Sequence, residues 1–259
     1  MDDLRLYRLG GEMARLAGFL RELGLDAEAI DARDFRSDDE GRIFGGNKEF
    51  DIIYRFLELH ELDEIDQSCS LQTLRRAFRE GRMVPSLAGE LDHKSCYELF
   101  TDPTYRSIFS EAQLQVFDRH VLWTRLLFDR QTTGPSKEKV DLFGFVVENR
   151  DTLVIKPNRS YGGIGVVLGP QVNAQEWTRA LAEAKRKPGE YVVQQLAEVV
   201  AEELPLFSAD GRIRMAPCFL SLGLFPMRER LGALGRYSGG RVVNISQRGG
   251  VIPLAMIQA

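Results

Sequence analysis

Lys156 closes the apolar run Leu153-Val154-Ile155, and a few residues on stands Tyr161-Gly162-Gly163-Ile164-Gly165. An ammonium carried into an apolar setting is costly unless it meets an anion, so Lys156 is expected to point into a cleft at a phosphate-like group. Glycines strip bulk from a loop and let backbone N–H groups approach phosphate oxygens. Tyr161, Gly162, Gly163 and Gly165 are therefore expected to form a flexible flap, although the same glycines would also suit a plain hairpin turn. The stretch is not a Walker A loop, since no GxxxxGK[ST] occurs, and Gly163-x-Gly165-x-x-x-Gly169 misses the dinucleotide spacing. There is no GxSxG elbow, and His60, His93 and His120 are scattered without acidic neighbours at zinc spacing. Serine hydrolysis and zinc chemistry have no support.

Around this stretch the sequence alternates strand and helix signals. TLVIKP reads as a strand, NRSYGGIG as a loop, VVLG as a strand, AQEWTRALAEAKRK as a helix and EYVVQQL as a strand. That order suits a nucleotide fold. Upstream, Met13, Leu16, Ala17, Leu20 and Leu23 fall at helical spacing with Gly24 at the stop. FDIIYRFLEL reads as a strand after a turn-like SDDEGRIFGGNKE, and SCSLQTLRRAFREGR as another helix. The polar, Gly-Pro-bearing QTTGPSKEKVD predicts a linker and a lobe boundary near 130–140. The glycine-punctuated tail reads as antiparallel strands. The expected organisation is a small α/β front lobe over 1–90 and a nucleotide-binding region over 91–259, with a sub-lobe at about 140–192.

Composition agrees with an ordinary globular protein: 259 residues, 44% apolar and 28% charged. A net charge of −4 gives no overall field for DNA or anionic lipid, so neither nucleic acid nor membrane is an expected partner. The charge is uneven, with 14 acidic side chains against 5 basic from Asp26 to Asp66 and 7 arginines against Asp210 and Glu229 from Pro205 onward. Such a basic segment is either a solvated face or a holder of an anion such as a polyphosphate. Three separated cysteines without CxxC, no signal-peptide run and no stretch of roughly 20 apolar residues predict a soluble cytoplasmic protein.

LVIKPNRSYGGIGV, the helix around Trp177, EYVVQQLAEV and GRYSGGRVVNISQRGG together resemble the ATP-grasp superfamily, in its circularly permuted branch related to glutathionylspermidine synthases. The resemblance implies an α+β fold of ATP-grasp type, with a glycine-flap lobe and an antiparallel sheet enclosing a nucleotide cleft. It implies an ATP-dependent carboxylate–amine ligase acting through an acylphosphate, with ATP and Mg2+ as cofactors and a small-molecule or peptide acid and amine as substrates. Carried over, Lys156 and, through the DHKSC segment, Lys94 would contact phosphate, and Gly162, Gly163 and Gly165 would close over it. Gln194, Gln195 and Leu196 would meet adenine. Arg236 would stabilise the transferring phosphoryl group, Asn244 would match the vvN...GG ending, and Arg55 of the front lobe would touch substrate.

One part of the family pattern is missing. Mg2+ needs oxygen ligands that bridge the phosphates, yet no E-x-N follows Lys156, and the tail offers only Asp210 and Glu229. In the permuted branch the acidic strands lie N-terminal to the region matched here. Three expectations follow from that gap. The chain is part of a longer ligase, or it borrows metal ligands from a partner chain or another copy of itself, or it is a non-catalytic nucleotide-binding or scaffold subunit. A purely structural protein, with no nucleotide site, is the remaining alternative.

Overall fold

The computed structural model describes residues 11–85, 93–207, 211–226, 228–243 and 249–255, apart from the side chains of 59 and 60. The chain divides into two compact units, Met1–Leu91 and Asp92–Ala259. Antiparallel sheets and short helices make the architecture α+β. No helix among the described residues is long and apolar enough to cross a membrane.

In the first unit, helix α1 (Glu12–Glu22) buries Met13 and Ala17 and ends at Gly24, whose φ of 85° suits a residue without Cβ. Strands β1 (Phe35–Ser37), β2 (Ile43–Gly45) and β3 (Lys48–Phe50) form an antiparallel sheet. The segment read as turn-like thus contains two strands, paired across the Gly46-Asn47 turn. The expected strand over FDIIYRFLEL shrinks to β4 (Ile53–Tyr54), because Glu58 starts helix α2 (Leu59–Asp66) and its N–H is capped by Glu61 at 2.8 Å. Helix α3 (Gln72–Arg79) leads into β5 (Met83–Val84), which pairs in parallel with β4. Ile43, Ile53, Leu57, Leu62, Leu74 and Met83 make this unit's core.

The second unit begins with α4 (Cys96–Thr101) and α5 (Glu111–His120), the latter capped reciprocally by Ser110 and Gln113. Next come β6 (Thr124–Leu126) and the antiparallel pair β7 (Gln131–Thr133) and β8 (Lys139–Asp141). The boundary expected near 130–140 is absent. Gly134-Pro135 begins the turn of that hairpin, and the hairpin is tied back to β6 by the buried Arg125. That guanidinium donates to the hydroxyls of Thr132 at 2.9 Å and Thr133 at 2.7 Å. Strand β6 in turn pairs with β11 (Tyr191–Gln195) in one sheet.

That sheet runs β10-β9-β11-β6, with β9 at Leu153–Pro157 and β10 at Val167–Leu168. Strand alternation sends Leu153, Ile155 and Val193 to one face. There they pack on Leu142 and Val146 of α6 (Leu142–Glu148) and on Trp177, Leu181 and Ala184 of α7 (Ala174–Arg186). The other face carries Val154, Lys156 and Gln194. Beyond it, β12 (Glu202–Phe207), β13 (Ile213–Pro226), β14 (Leu231–Ser238) and β15 (Gly250–Ile252) make an antiparallel sheet in chain order.

Gly169 sits where the chain leaves β10. A Cβ there would lie 1.8 Å from the carbonyl oxygen of Arg150, a backbone atom that cannot swing aside. Gly169→Ala is expected to cost about 3 kcal/mol, as overpacking against fixed atoms does. Chemical denaturation of the variant checks it, and a loss below about 0.5 kcal/mol would mean that the 150–153 segment moves freely.

Candidate functional site

Lys156 and Gln194 project from neighbouring strands on the face opposite the helices. Thr124 Oγ1 donates to the carbonyl of Leu122 at 3.0 Å, so it accepts from Gln194 Nε2 at 2.8 Å. That fixes the amide, with Gln194 Oε1 facing Lys156 and accepting from its Nζ at 2.6 Å. An ammonium has three N–H donors. Gln194 takes one, and the described residues take no other. Burial, and then the nearby charge of Lys94, hold the Lys156 ammonium below the usual lysine range.

Lys94 lies two residues before α4. Its backbone N–H donates to Asn158 O at 3.2 Å, and its Nζ reaches the carbonyl of Ser160 at the root of the flap. Two cations are thus held near each other. In the flap, Gly162, Gly163 and Gly165 have φ of 71°, 75° and 70°, left-handed values that disfavour any side chain. A Cβ on Gly165 would also come within 2.8 Å of Pro157 Cγ.

These groups surround a cavity of about 470 Å³. Lys94, Lys156, Tyr161, Gly162, Gly163, Gln194, Gln195, Leu196 and Arg236 all line it, whereas Gly165 does not. Arg236 arrives from β14, in register with Ser221 and Val251, and its buried Nε makes no hydrogen bond among the described residues. Arg241, from the turn after β14, also lines the cavity. None of the described lining residues is Asp or Glu, and Val154, Leu122, Leu168, Leu196 and Val199 give it apolar walls.

Where a base would meet the chain, the geometry differs from simple strand-end contact. The N–H of Gln195 donates to Trp123 O and that of Leu196 to Thr152 O, each at 2.8 Å. Gln194's side chain is committed to Lys156 and Thr124. The next lining residue, Ala197, keeps an N–H with no partner among the described residues.

Two further expected residues are not among the described lining residues. Asn244 is outside the described residues. Arg55 belongs to the first unit. Buried there, it donates from Nη1 to Leu57 O at 2.6 Å, and its Nε makes no hydrogen bond among the described residues. In the basic tail, Arg214 on β13 and Arg212 just before it are exposed and do not line the cavity. Among the described residues, no cluster of His, Cys, Asp and Glu could hold a metal ion. Arg241, Ser160 and Ala197 were not singled out from sequence; Arg241 had a signal, standing directly after a glycine pair in the basic tail.

No protein-family model matches the chain. It is 26% identical over 221 residues to an uncharacterized protein of Mycobacterium leprae, covering 79% of this chain and 36% of that one. It is 24% identical over 242 residues to an uncharacterized protein of Synechocystis, covering 87% and 47%. A shorter match, 31% identical over 112 residues, is to a protein of Frankia casuarinae provisionally named a glutamate–cysteine ligase; it covers 40% of this chain and 12% of that one. The chain therefore spans less than half the length of these relatives.

Gln194→Glu would set a carboxylate where a neutral oxygen now meets the ammonium. Anion affinity is expected to fall about tenfold, equivalent to about 1.4 kcal/mol. Titration with inorganic tripolyphosphate checks it, and unchanged affinity would place the anion away from Lys156.

Proposed function

We propose that the cavity of the second unit binds ATP, and that the chain is the nucleotide-binding part of an ATP-dependent carboxylate–amine ligase of ATP-grasp type. The observation that carries the reading is the cavity's charge. Lys94, Lys156, Arg236 and Arg241 line it without a described carboxylate, beside a glycine loop and an apolar wall. A triphosphate suits the lining cations, and a purine suits the apolar lining residues, with the Ala197 N–H as a donor to a ring nitrogen. The provisional name of the Frankia relative supports ligation as the reaction class.

In such a reaction a carboxylate oxygen attacks the terminal phosphoryl group, ADP departs, and an amine then displaces phosphate from the acylphosphate. Phosphoryl transfer is catalysed mainly by positioning and charge stabilisation. Lys156 and Arg236 would take that part, and Lys94 would neutralise charge on the phosphate chain. Mg2+ does not fit the residues lining this cavity, because it takes oxygen ligands and the described lining residues supply no carboxylate. No step is assigned to it.

Buried and beside Lys94, Lys156 loses its proton at lower pH than an ordinary lysine. Triphosphate binding is expected to fade as pH rises through that depressed value, below the usual lysine pKa of about 10.4. A pH series of titrations checks this, and affinity flat up to about pH 10 would contradict it.

Turnover tests the reaction class. The chain is incubated with ATP, Mg2+, hydroxylamine and a panel of amino acids beginning with glutamate, and hydroxamate and ADP are measured. Hydroxamate that depends on one acid supports ligation. Nucleotide binding without any turnover supports the second reading, a non-catalytic nucleotide-binding subunit or one whose metal ligands come from elsewhere. The cavity's lack of described carboxylates favours that second reading.

A further inference from the structure

Asn158 follows β9 directly and is 6% exposed. Its N–H donates to Glu190 O at 2.7 Å, and its carbonyl accepts from Lys94 N at 3.2 Å. Its side-chain Oδ1 accepts from Ser95 N at 2.9 Å, while Nδ2 donates to Gly189 O at 3.3 Å. One residue thereby ties together the end of the Lys156 strand, the turn entering β11 and the two residues that lead into α4. Only a side chain with both a donor and an acceptor can hold the last two at once.

The tie has work to do. Lys94 and Lys156 carry like charge, and the Lys94 ammonium stays in place by donating to Ser160 O and, at 3.5 Å, to Asn158 O. Like charges in a partly buried setting separate unless the backbone forbids it. The Ser95 N–H bond and the Lys94 N–H bond fix the backbone from which the Lys94 side chain leaves.

We propose that Asn158 is a positioning residue that holds Lys94 beside Lys156, setting the spacing at which the two ammonium groups grip a polyphosphate. This rests on reading the cavity as a phosphate site. Asn158→Leu keeps the volume and removes both side-chain hydrogen bonds. Calorimetric titration of the full chain with inorganic tripolyphosphate is expected to show affinity about tenfold weaker. The alkaline limit of binding is expected to move to higher pH, because Lys156 no longer feels Lys94 so strongly. General loosening would weaken binding without moving that limit, so weaker binding with an unmoved limit overturns the proposal, as does wild-type affinity in Asn158→Leu.

If Asn158→Leu does not fold, Asn158→Asp decides. It keeps the acceptor, so the Ser95 amide is expected to stay protected from hydrogen exchange, and it adds a negative charge beside Lys94 that should weaken tripolyphosphate by a similar factor. Unchanged affinity there, or a Ser95 amide unprotected in the wild-type chain, overturns the proposal. A wild-type chain that binds no tripolyphosphate would overturn the phosphate-site reading itself and the inference with it. Wild-type binding that both Asn158 variants retain would overturn the inference alone.

Discussion

Lys156→Met is expected to weaken binding of a non-hydrolysable ATP analogue by about a hundredfold while leaving the fold intact. Charge-assisted hydrogen bonds contribute about 1.5–3 kcal/mol each, and about 2.7 kcal/mol corresponds to a hundredfold change in affinity. Lys156 has N–H donors left after Gln194 takes one, on the cavity face of a strand whose other face is core. Methionine keeps the apolar stem and removes the charge.

Stability is expected to hold or rise. Burial lowers the folded pKa of Lys156. Between that value and the ordinary one the unfolded chain binds more protons, so this group's contribution to stability increases with pH. At neutral pH the buried ammonium therefore costs stability, and methionine removes the cost. Calorimetry and thermal melting test both halves. Near-wild-type affinity would move the anion away from β9, and a collapsed melting temperature would make Lys156 a structural residue.

Trp177→Ala is expected to remove about 4 kcal/mol, the cost of emptying a large core site. Trp177 is 2% exposed and packs α7 against the sheet, and its indole N–H donates to Val146 O at 3.1 Å on α6. Alanine leaves a cavity and an unmatched carbonyl between two helices and the strand that carries Lys156. Since domains are stable by only about 5–15 kcal/mol, a large drop in denaturation midpoint should follow. A loss below about 1 kcal/mol would mean that α7 does not brace the sheet.

How far the sequence could be read depended on the range of the interaction. The strand, flap, strand, helix and strand around Lys156 were legible because alternation and helical spacing are local. The helix around Trp177 was legible for the same reason. The hairpin at β7 and β8 was not. Gly134-Pro135 signals a break in chain direction equally well in a linker or a turn, and what decides is Arg125, a buried cation that Thr132 and Thr133 satisfy. SDDEGRIFGGNKE failed similarly, because its charges suggested a turn while Ile43, 0% exposed, anchors a strand.

At the site, residue types were more legible than roles. Gln194 stands by strand alternation on the face of Lys156, and Thr124 fixes its amide toward the ammonium, a contact that no local pattern announces. Asn158 gave no signal, since a single polar residue after a strand becomes a junction only when α4 and the β11 turn pack beside it. Arg236 entered through the family resemblance, and the folding of the distant β14 accounts for its place on the cavity wall.

The central claim is that the cavity holds a nucleotide. Calorimetric titration of the wild-type chain with a non-hydrolysable ATP analogue, with and without Mg2+, tests it most directly. Saturable binding that persists without Mg2+ is expected, because the lining cations would neutralise the phosphates themselves. Absence of binding up to about millimolar analogue in both conditions would contradict it.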